Sequence, residues 1–493
     1  MQRVISAGRV ASVLGSATFD APIYAAVADR MRGVITDGRL PAGVRMPSER
    51  ELTAALGLSR TTVTRAYQQL RDQGYLRTRQ GSGSVVHLPQ VPGGRVDHLL
   101  APAGTDGDSI DLTTTAPPAT PWLRPAYQEA VEQVGAYLSG VGYYPSGLPV
   151  LREAVARRYT ERGLHTTPEQ ILVTSGALSG VAIAVQALVA PGARVVIESP
   201  TYPNVIATLT GARARIAAHP VDPDAGGQEW DPDGLRALLR QSGARAAYLV
   251  PDFHNPTGVL MDAAQRERVG ASLARARVVP IIDESPVDLA LDEVEMPPPL
   301  AAFAPDSVTV GSVSKTYWSG LRIGWMRLPS ARVQQMAMSR LRLDLGAPVL
   351  EQLVVAALMG RHTKILTERR DAYRRGRDLL VAGVREHLPS WRVQRPPGGL
   401  SLWCELPTAC STALVEAAAG HGVSLAAGPN FAPQGGMEGW MRLPFTLPQD
   451  RLAAALPRLA RAWEETVSAG AMSATVRGRR DGRPERVPTP IIA

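Results

Sequence analysis

From about Ile110 to Gly470, short β-branched runs alternate with helical stretches, and this alternation restricts the fold more than any single residue does. Ile171–Val173, Arg194–Ile197, Ala246–Val250, Val278–Ile282 and Ser307–Val310 are the strand candidates, and helical stretches separate most of them. Parallel neighbours need a long crossover, usually a helix, so the pattern predicts an α/β unit around a largely parallel sheet. Ligands of such sheets gather in the crevice beyond the strands' carboxyl ends. Residues that directly follow each apolar run are therefore the first candidates for chemistry.

One such position holds a scarce residue. The 493-residue chain has 53 basic residues, of which only Lys315 and Lys364 are lysines. Lysine is the side chain that can hold an aldehyde cofactor as a Schiff base. Lys315 sits in Gly311-Ser312-Val313-Ser314-Lys315-Thr316, with hydroxyls on both sides and Arg322 seven residues on. Arginine beside serines suits a phosphate. Together they point to pyridoxal 5'-phosphate, which needs an imine lysine, a ring-nitrogen acid, a donor to the ring oxygen, a stacking ring and a phosphate cradle.

Each need has a candidate. Asp283 ends the apolar strand Val278–Ile282 and would face the ring nitrogen; alone it reads as a cap or loop acid. Asn255, in His254-Asn255-Pro256-Thr257-Gly258, would donate to the ring oxygen, although Asn-Pro-Thr-Gly is also a common turn. Tyr202 would stack on the ring. Ser175, Gly176 and Ala177 follow a strand and open a helix, whose free N–H groups suit a phosphate. Ser312 and Arg322 would complete the cradle. No metal is expected.

The segment from Pro22 to Leu88 reads differently, as three helices and a hairpin. Ile23, Val27, Met31 and Ile35 recur at four-residue spacing in the first helix, which runs to Asp37. Ser48 caps a short helix that Gly57 stops, and Ser59 caps a third helix to about Gln73. Val63, Tyr67 and Leu70 form its apolar stripe, while Arg60, Thr61, Thr62 and Thr64 lie on another face. These are helix-turn-helix dimensions, in which the second helix reads base edges in the major groove. Arginine can bond guanine twice, and threonines suit phosphate or a thymine methyl. Arg50 can reach DNA from the preceding helix, and Tyr75–His87, turning at Gly81-Ser82-Gly83, has the form of a wing. Residues 20–90 hold ten arginines against six acids, a modest excess.

The net charge of +8 permits a polyanionic partner without requiring one. Two cysteines, Cys404 and Cys410, argue against a disulfide framework. No apolar run is long enough for a signal core or a bilayer span, so a soluble cytoplasmic protein is expected. The segmentation expected is a weakly structured arm over 1–20, a DNA-reading unit over 21–89, a Pro/Gly-rich linker over 90–108, a large unit over 109–470, and a basic, disordered tail over 471–493.

Pro22–Val86 resembles the GntR-type winged helix-turn-helix. The likeness rests on Gly38-Arg39-Leu40-Pro41-Ala42-Gly43, Met46-Pro47-Ser48-Glu49-Arg50-Glu51-Leu52, Leu58-Ser59-Arg60-Thr61-Thr62-Val63 and Gly81-Ser82-Gly83. It implies that Arg50, Arg60, Thr61, Thr62 and Gly81 contact DNA. Ile110–Gly470 resembles the fold type I aminotransferases of class I/II. Gly142-Tyr143-Tyr144-Pro145-Ser146-Gly147 looks like that family's dimer-interface segment, and Met441-Arg442-Leu443-Pro444-Phe445 matches its carboxylate-holding motif. The resemblance implies that Arg442 clamps an effector carboxylate, and that Tyr143 or Tyr144 reaches the partner subunit's site; Tyr143 is the one grouped with Arg442.

The fold class implied is thus multidomain: an α+β winged helix-turn-helix followed by an α/β fold type I aminotransferase-like domain with a smaller C-terminal α+β subdomain. That union resembles the MocR family of bacterial transcription regulators. It implies a head-to-tail homodimer on double-stranded DNA with repeated half-sites, sensing pyridoxal phosphate through an aldimine at Lys315, and possible control by an amino acid or amine. One departure bears on activity. Related proteins often carry a tyrosine two or three residues after the ring-nitrogen acid, whereas Asp283 is followed by Glu284, Ser285 and Pro286. That favours binding over turnover, and a role in vitamin B6 or amino acid metabolism. The alternative is an active aminotransferase with an accessory DNA-binding domain.

Overall fold

A computed structural model describes residues 4–15, 21–36, 40, 43–79, 83–87, 109–226 and 228–476. Gly81, the expected linker and residues 477–493 of the expected tail lie outside the described residues.

The amino-terminal unit contains α1 (Ala7–Leu14), α2 (Ile23–Thr36), α3 (Glu49–Leu56), α4 (Arg60–Asp72) and a hairpin of β1 (Leu76–Arg79) and β2 (Gly83–Val86). Ser48 Oγ accepts from Glu51 N at 3.2 Å, and Glu51 Oε2 accepts from Ser48 N at 2.8 Å. This capping box satisfies two orphan donors at the start of α3. Gly57, at φ +66°, stops the helix in the left-handed conformation that costs glycine nothing. Tyr67 on α4 is buried and donates its hydroxyl to Pro47 O at 2.9 Å, which ties the second helix to the turn before the first. Thr64 and Arg71 both bond Glu49, at 2.6 and 3.3 Å.

Two expectations change here. Residues 7–14, read as part of a weakly structured arm, form α1. Ser6 caps it, and Val10 and Leu14 are buried among Val27, Met31, Leu52 and Val63. An eight-residue helix is marginal alone, so the apolar face docked on the unit's core holds it. The α2 stripe begins at Val27, because Ile23, on the first turn, is 41% exposed.

The large unit is built on seven strands: β4 (Ile171–Thr174), β5 (Arg194–Ser199), β6 (Arg215–Pro220), β7 (Ala246–Leu249), β8 (Val279–Asp283), β9 (Val308–Ser312) and β10 (Gly324–Arg327). It is preceded by β3 (Ile110–Asp111). The order is β4-β10-β9-β8-β7-β5-β6, and only β10 runs antiparallel to its neighbours. The largely parallel sheet expected from the alternation is present. β6 and β10 were not read from the sequence. β6 is an edge strand of arginine, alanine, histidine and proline with one isoleucine, and β10 is four residues between irregular stretches.

A smaller sheet follows, in the order β11 (Arg392–Val393), β12 (Ser401–Glu405), β15 (Trp440–Pro444), β14 (Ala426–Ala427). A separate pair joins β13 (Val423–Ser424) to β3 in parallel, so the first strand of the unit is stitched to the subdomain that comes last in the sequence. Helices His362–His387 and Gln449–Val476 pack on this subdomain around a core that includes Leu402, Leu443, Tyr373 and Leu452. The second of these helices runs through Val476, six residues into the stretch expected to be tail.

If α1 belongs to the folded unit, Leu14→Ala should destabilise the amino-terminal unit by about 2–5 kcal/mol. The readout is faster limited proteolysis within residues 1–87 of the full chain; unchanged cleavage rates would return the segment to an undocked arm.

Candidate functional site

The carboxyl ends of β4, β8 and β9 deliver three sequence candidates to one crevice. Asp283 closes β8 and is 7% exposed. Its Oδ2 accepts from Tyr248 Oη at 2.7 Å and its Oδ1 from Ser285 N at 2.8 Å. The donor Tyr248 stands on β7, and burial first, then the Asp283 charge, pushes its phenol well above the ordinary value. It therefore stays protonated and holds the carboxylate in one orientation. Sequence reading missed it, since a tyrosine inside Ala246–Leu249 looks like core; the available signal is that a buried phenol must find an acceptor.

Lys315 lies three residues past β9. Its Nζ donates to Thr115 Oγ1 at 3.1 Å. Burial, then the positive charge of Arg442, lowers its ammonium to about 8, against the opposing pull of Asp283. The loop carrying it is held from behind by the helix His362–His387. Tyr373 Oη donates to Lys315 O at 3.1 Å, and Arg369 donates to the carbonyls of Thr316 and Tyr317 at 3.2 and 2.8 Å. Thr316 Oγ1 donates to Asp288 at 3.2 Å. Burial alone would raise the Asp288 carboxyl, yet Arg158 at 2.6 Å, with His362, keeps it well below the usual carboxylate range. None of these supports was read from the sequence.

Ser175 and Gly176 link β4 to the helix α5 (Ala177–Leu188). Gly176 caps it at φ +102°, and a Cβ there would lie 2.9 Å from Arg322 Nη2. Arg322 Nη2 donates to Ser175 O at 2.9 Å. Ser312 Oγ and Ser314 Oγ are 3.0 Å apart. The Gly176 backbone, the helix start and the Arg322 guanidinium thus meet at one point, an arrangement suited to a phosphate. Gly324 of β10 presses on this loop, since a Cβ there would sit 2.6 Å from Gly176 C.

Arg442, on β15, is fully buried. One Nη donates to Thr113 O, the other to Asn255 Oδ1 at 3.4 Å, and the guanidinium lies 4.8 Å from the centre of the Phe431 ring. None of these partners is an acid, and its buried Nε has no partner among the described residues. Burial lowers it to about 10, opposed by Tyr202 and Asp111, so it remains a cation near neutrality. Tyr202, at the start of the helix Pro203–Gly211, accepts from Asn204 Nδ2 at 2.7 Å. Its phenol is raised first by burial and then, against Asn204, by Asp283. Tyr143 does not join these residues within the chain: it is 63% exposed.

In the amino-terminal unit, Arg50, Arg60 and Thr61 are exposed and Thr62 is half-buried. The Oγ1 atoms of Thr61 and Thr62 both lie 2.8 Å from Ser59 Oγ, so the helix cap orients the two threonines. Arg45, passed over in the sequence, lays its guanidinium along Gly83 at the start of β2, the turn end of the hairpin.

Residues 126–459 match the family described as aminotransferase class I and II, and residues 23–86 the bacterial regulatory proteins of the gntR family. Among curated relatives, the chain is 28% identical over 418 residues to the uncharacterized HTH-type transcriptional regulator YisV of Bacillus subtilis, covering 78% of this chain and 84% of that one. It is 29% identical over 397 residues to the HTH-type pyridoxine biosynthesis transcriptional regulator PdxR of Corynebacterium glutamicum, covering 77% and 83%. Among solved structures, LysN of Thermus thermophilus, an alpha-aminoadipate aminotransferase complexed with N-(5'-phosphopyridoxyl)-L-leucine, superposes with a TM-score of 0.67 at 25% identity, covering 73% of this chain and 93% of that one.

The lowered Lys315 amine gives a pH signature. A lysine whose ammonium is held down gains its nucleophilic form earlier as pH rises. Acylation of Lys315 in the Lys364→Arg protein, followed by peptide mapping, should reach half its maximal rate near pH 8. Arg442→Gln removes the larger of the two cationic influences that, with burial, lower it, so the midpoint should move to higher pH; a fixed midpoint would remove Arg442 from the lysine's surroundings.

Proposed function

The chain belongs to the aminotransferase class I and II family, joined to a GntR-type winged helix-turn-helix in the arrangement of the MocR regulators, and from that premise we propose that it is a DNA-binding transcription regulator that senses pyridoxal 5'-phosphate. The observation that carries the sensing is the pairing of Lys315, its amine lowered to about 8, with the buried cation Arg442, whose hydrogen-bond partners include no acid. The cofactor fits the residues present. The unpartnered Nε of Arg442 and the space that a Cβ on Gly176 would fill are both what an anionic, phosphorylated ligand would use. When bound, pyridoxal phosphate supplies an aldehyde that condenses with primary amines and a ring that stores electrons.

The chain's own residues do the rest. Lys315 provides the amine. Asp283, oriented by Tyr248, faces the ring nitrogen. Asn255 reaches the ring oxygen and Tyr202 covers one ring face. Ser175, Gly176, Ala177, Ser312 and Arg322 take the phosphate, and Arg442 takes the carboxylate of an amino acid effector. In the reader, Arg50, Arg60, Thr61, Thr62 and Gly81 meet the operator. Val131, Leu138, Val141, Tyr143 and Met338 are each more than half exposed, which supports a homodimer in which a second copy covers them and Tyr143 serves the partner's site.

A sensor needs a ligand that distinguishes two states, not one that is turned over. Ser285 offers Asp283 a backbone N–H, and its short side chain stands near the place where relatives carry a tyrosine. That supports binding with little turnover and favours a B6-sensing role. No helix among the described residues is long and apolar enough to cross a membrane, as suits a protein working on DNA in the cytoplasm. A second reading, an active aminotransferase, is favoured by the survival of Lys315, Asp283, Asn255 and Arg442 and by the likeness to LysN. Steady turnover with a keto acid acceptor would establish it.

The deciding experiment measures affinity for duplex DNA from upstream of the chain's own gene at fixed salt, because phosphate contacts make affinity salt-dependent. Cofactor-loaded protein should differ from stripped protein, and Lys315→Ala should not respond. Arg60→Glu should weaken binding at least about tenfold, the value of one lost base contact. Specific binding indifferent to pyridoxal phosphate and to Lys315 would sink the sensing reading.

A further inference from the structure

Two contacts in the site converge on one short stretch of chain. Lys315 Nζ donates to Thr115 Oγ1 at 3.1 Å, and an Arg442 Nη donates to Thr113 O. The group proposed to engage the cofactor and the group proposed to hold an effector's carboxylate are therefore both tied to residues 113–115. This stretch is stiff. Asp111 Oδ1 accepts from Thr113 N at 2.7 Å and from Thr113 Oγ1 at 2.5 Å. Immediately before it lie β3 and Leu112; the Ile110 and Leu112 amides donate to Gly422 O and Ser424 O of the small subdomain, each at 2.8 Å. The chain amino-terminal to β3 leads, through residues 88–108, to the DNA reader.

We propose that the segment Ile110–Thr115 carries the signal from the ligand site to the reader, with Thr115 as the positioning residue that registers whether the Lys315 amine is free. The inference rests on the sensing reading above. A free amine donates to Thr115. Condensation with the cofactor's aldehyde would form a carbon–nitrogen double bond at Nζ and release the carbonyl oxygen as water with both hydrogens of the neutral amine, so Thr115 would lose this donor. A carboxylate arriving on Arg442 competes in the same way for the Nη that holds Thr113 O. Both events act on one turn. Because Asp111 clamps Thr113 by two bonds, the turn passes its displacement to β3 instead of absorbing it. The small subdomain, paired to β3 through β13, moves with it or holds it back.

Sequence position explains why this stretch, and not another, suits the task. Thr115 is 200 residues from Lys315, and Thr113 is 329 from Arg442. Every other contact of Lys315 or its loop described above comes from elements deep within the large unit. Among the described residues, only the 110–115 stretch both touches these two groups and is continuous, within about twenty residues of chain, with the reader.

The test uses full-length wild type, Thr115→Val and Thr115→Ser, with pyridoxal phosphate itself as the ligand and labelled upstream duplex as the readout. In the wild type, loading should change DNA affinity by about fivefold or more, the lower end of ordinary coupling. Thr115→Val should still load, as seen in its visible absorbance, but with a displaced absorbance–pH midpoint, and its loaded and stripped affinities should agree within about twofold. Thr115→Ser, which keeps the hydroxyl, should restore both the midpoint and the response. If Thr115→Val fails to load, Asp111→Ala serves in its place, since it frees the turn while leaving Thr115 intact; it should load and respond weakly. A Thr115→Val protein that loads and responds as the wild type does would overturn the coupling while leaving the sensing reading intact. A wild type whose DNA affinity ignores pyridoxal phosphate would overturn both.

Discussion

A buried guanidinium with no acid among its hydrogen-bond partners sets the electrostatics of the crevice. Arg442 is wholly buried on β15, and its neighbours are a carbonyl, an amide oxygen and an aromatic face. Taking an ion out of water costs several kcal/mol even after relaxation, and a partner carboxylate normally offsets part of that. Here the offset comes from weaker dipoles and from the charge of Asp111, which makes no hydrogen bond to it, and Nε has no partner among the described residues. The fold tolerates this because β15 is a central strand, bonded to β12 on one side and β14 on the other, so the guanidinium cannot swing out to solvent. Its charge is then felt across the crevice, where it helps to lower the Lys315 ammonium. Two cationic groups facing one crevice are mutually unfavourable until an anion enters or the lysine loses its proton. The pocket thus favours a ligand that brings a negative charge and consumes an amine.

The parallel sheet turns sequence order into spatial order, and this decides what could be read in advance. Asp283, Lys315 and Ser175 each follow an apolar run closely, and in a parallel sheet every such position opens on the same edge. Their convergence was legible for that reason. The reader was legible because its signals are local: a cap at Ser48, a stop at Gly57 and a stripe at Val63, Tyr67 and Leu70 all act within a few residues.

The supports were not legible, because their partners are distant in sequence. Tyr248 meets Asp283 across 35 residues, Arg369 meets Thr316 across 53, and Thr115 meets Lys315 across 200. Each of these side chains has an ordinary explanation where it stands in the sequence. A tyrosine in a strand suggests core, an arginine on a long helix suggests a solvated face, and a threonine before prolines suggests a turn. β10 escaped for a related reason. Gly324 is there because a Cβ would collide with both Gly176 and Gly311, a requirement set by tertiary packing and invisible to local periodicity. The α1 helix escaped because its stability comes from docking, not from its own eight residues.

Sensing and turnover would use the same atoms, and they diverge once the lysine amine is engaged. In an enzyme, the freed lysine must move protons, and the remaining contacts need only keep the ring in place. In a regulator, engagement must alter a bond that the rest of the protein can feel, because a ligand shifts an equilibrium only by its different affinity for the two states. Thr115 and Thr113 supply such bonds, since each is made to a group that the ligand itself would claim. Asp283 is the opposite case. Tyr248 and Ser285 fix both of its oxygens from within the same unit, so its contacts have no second arrangement to offer. Asp283, the proposed ring-nitrogen acid, is held still, while the lysine and the arginine are tied to a stretch of chain that leads outward. That division of labour suits a binding switch better than a site refined for repeated proton transfer.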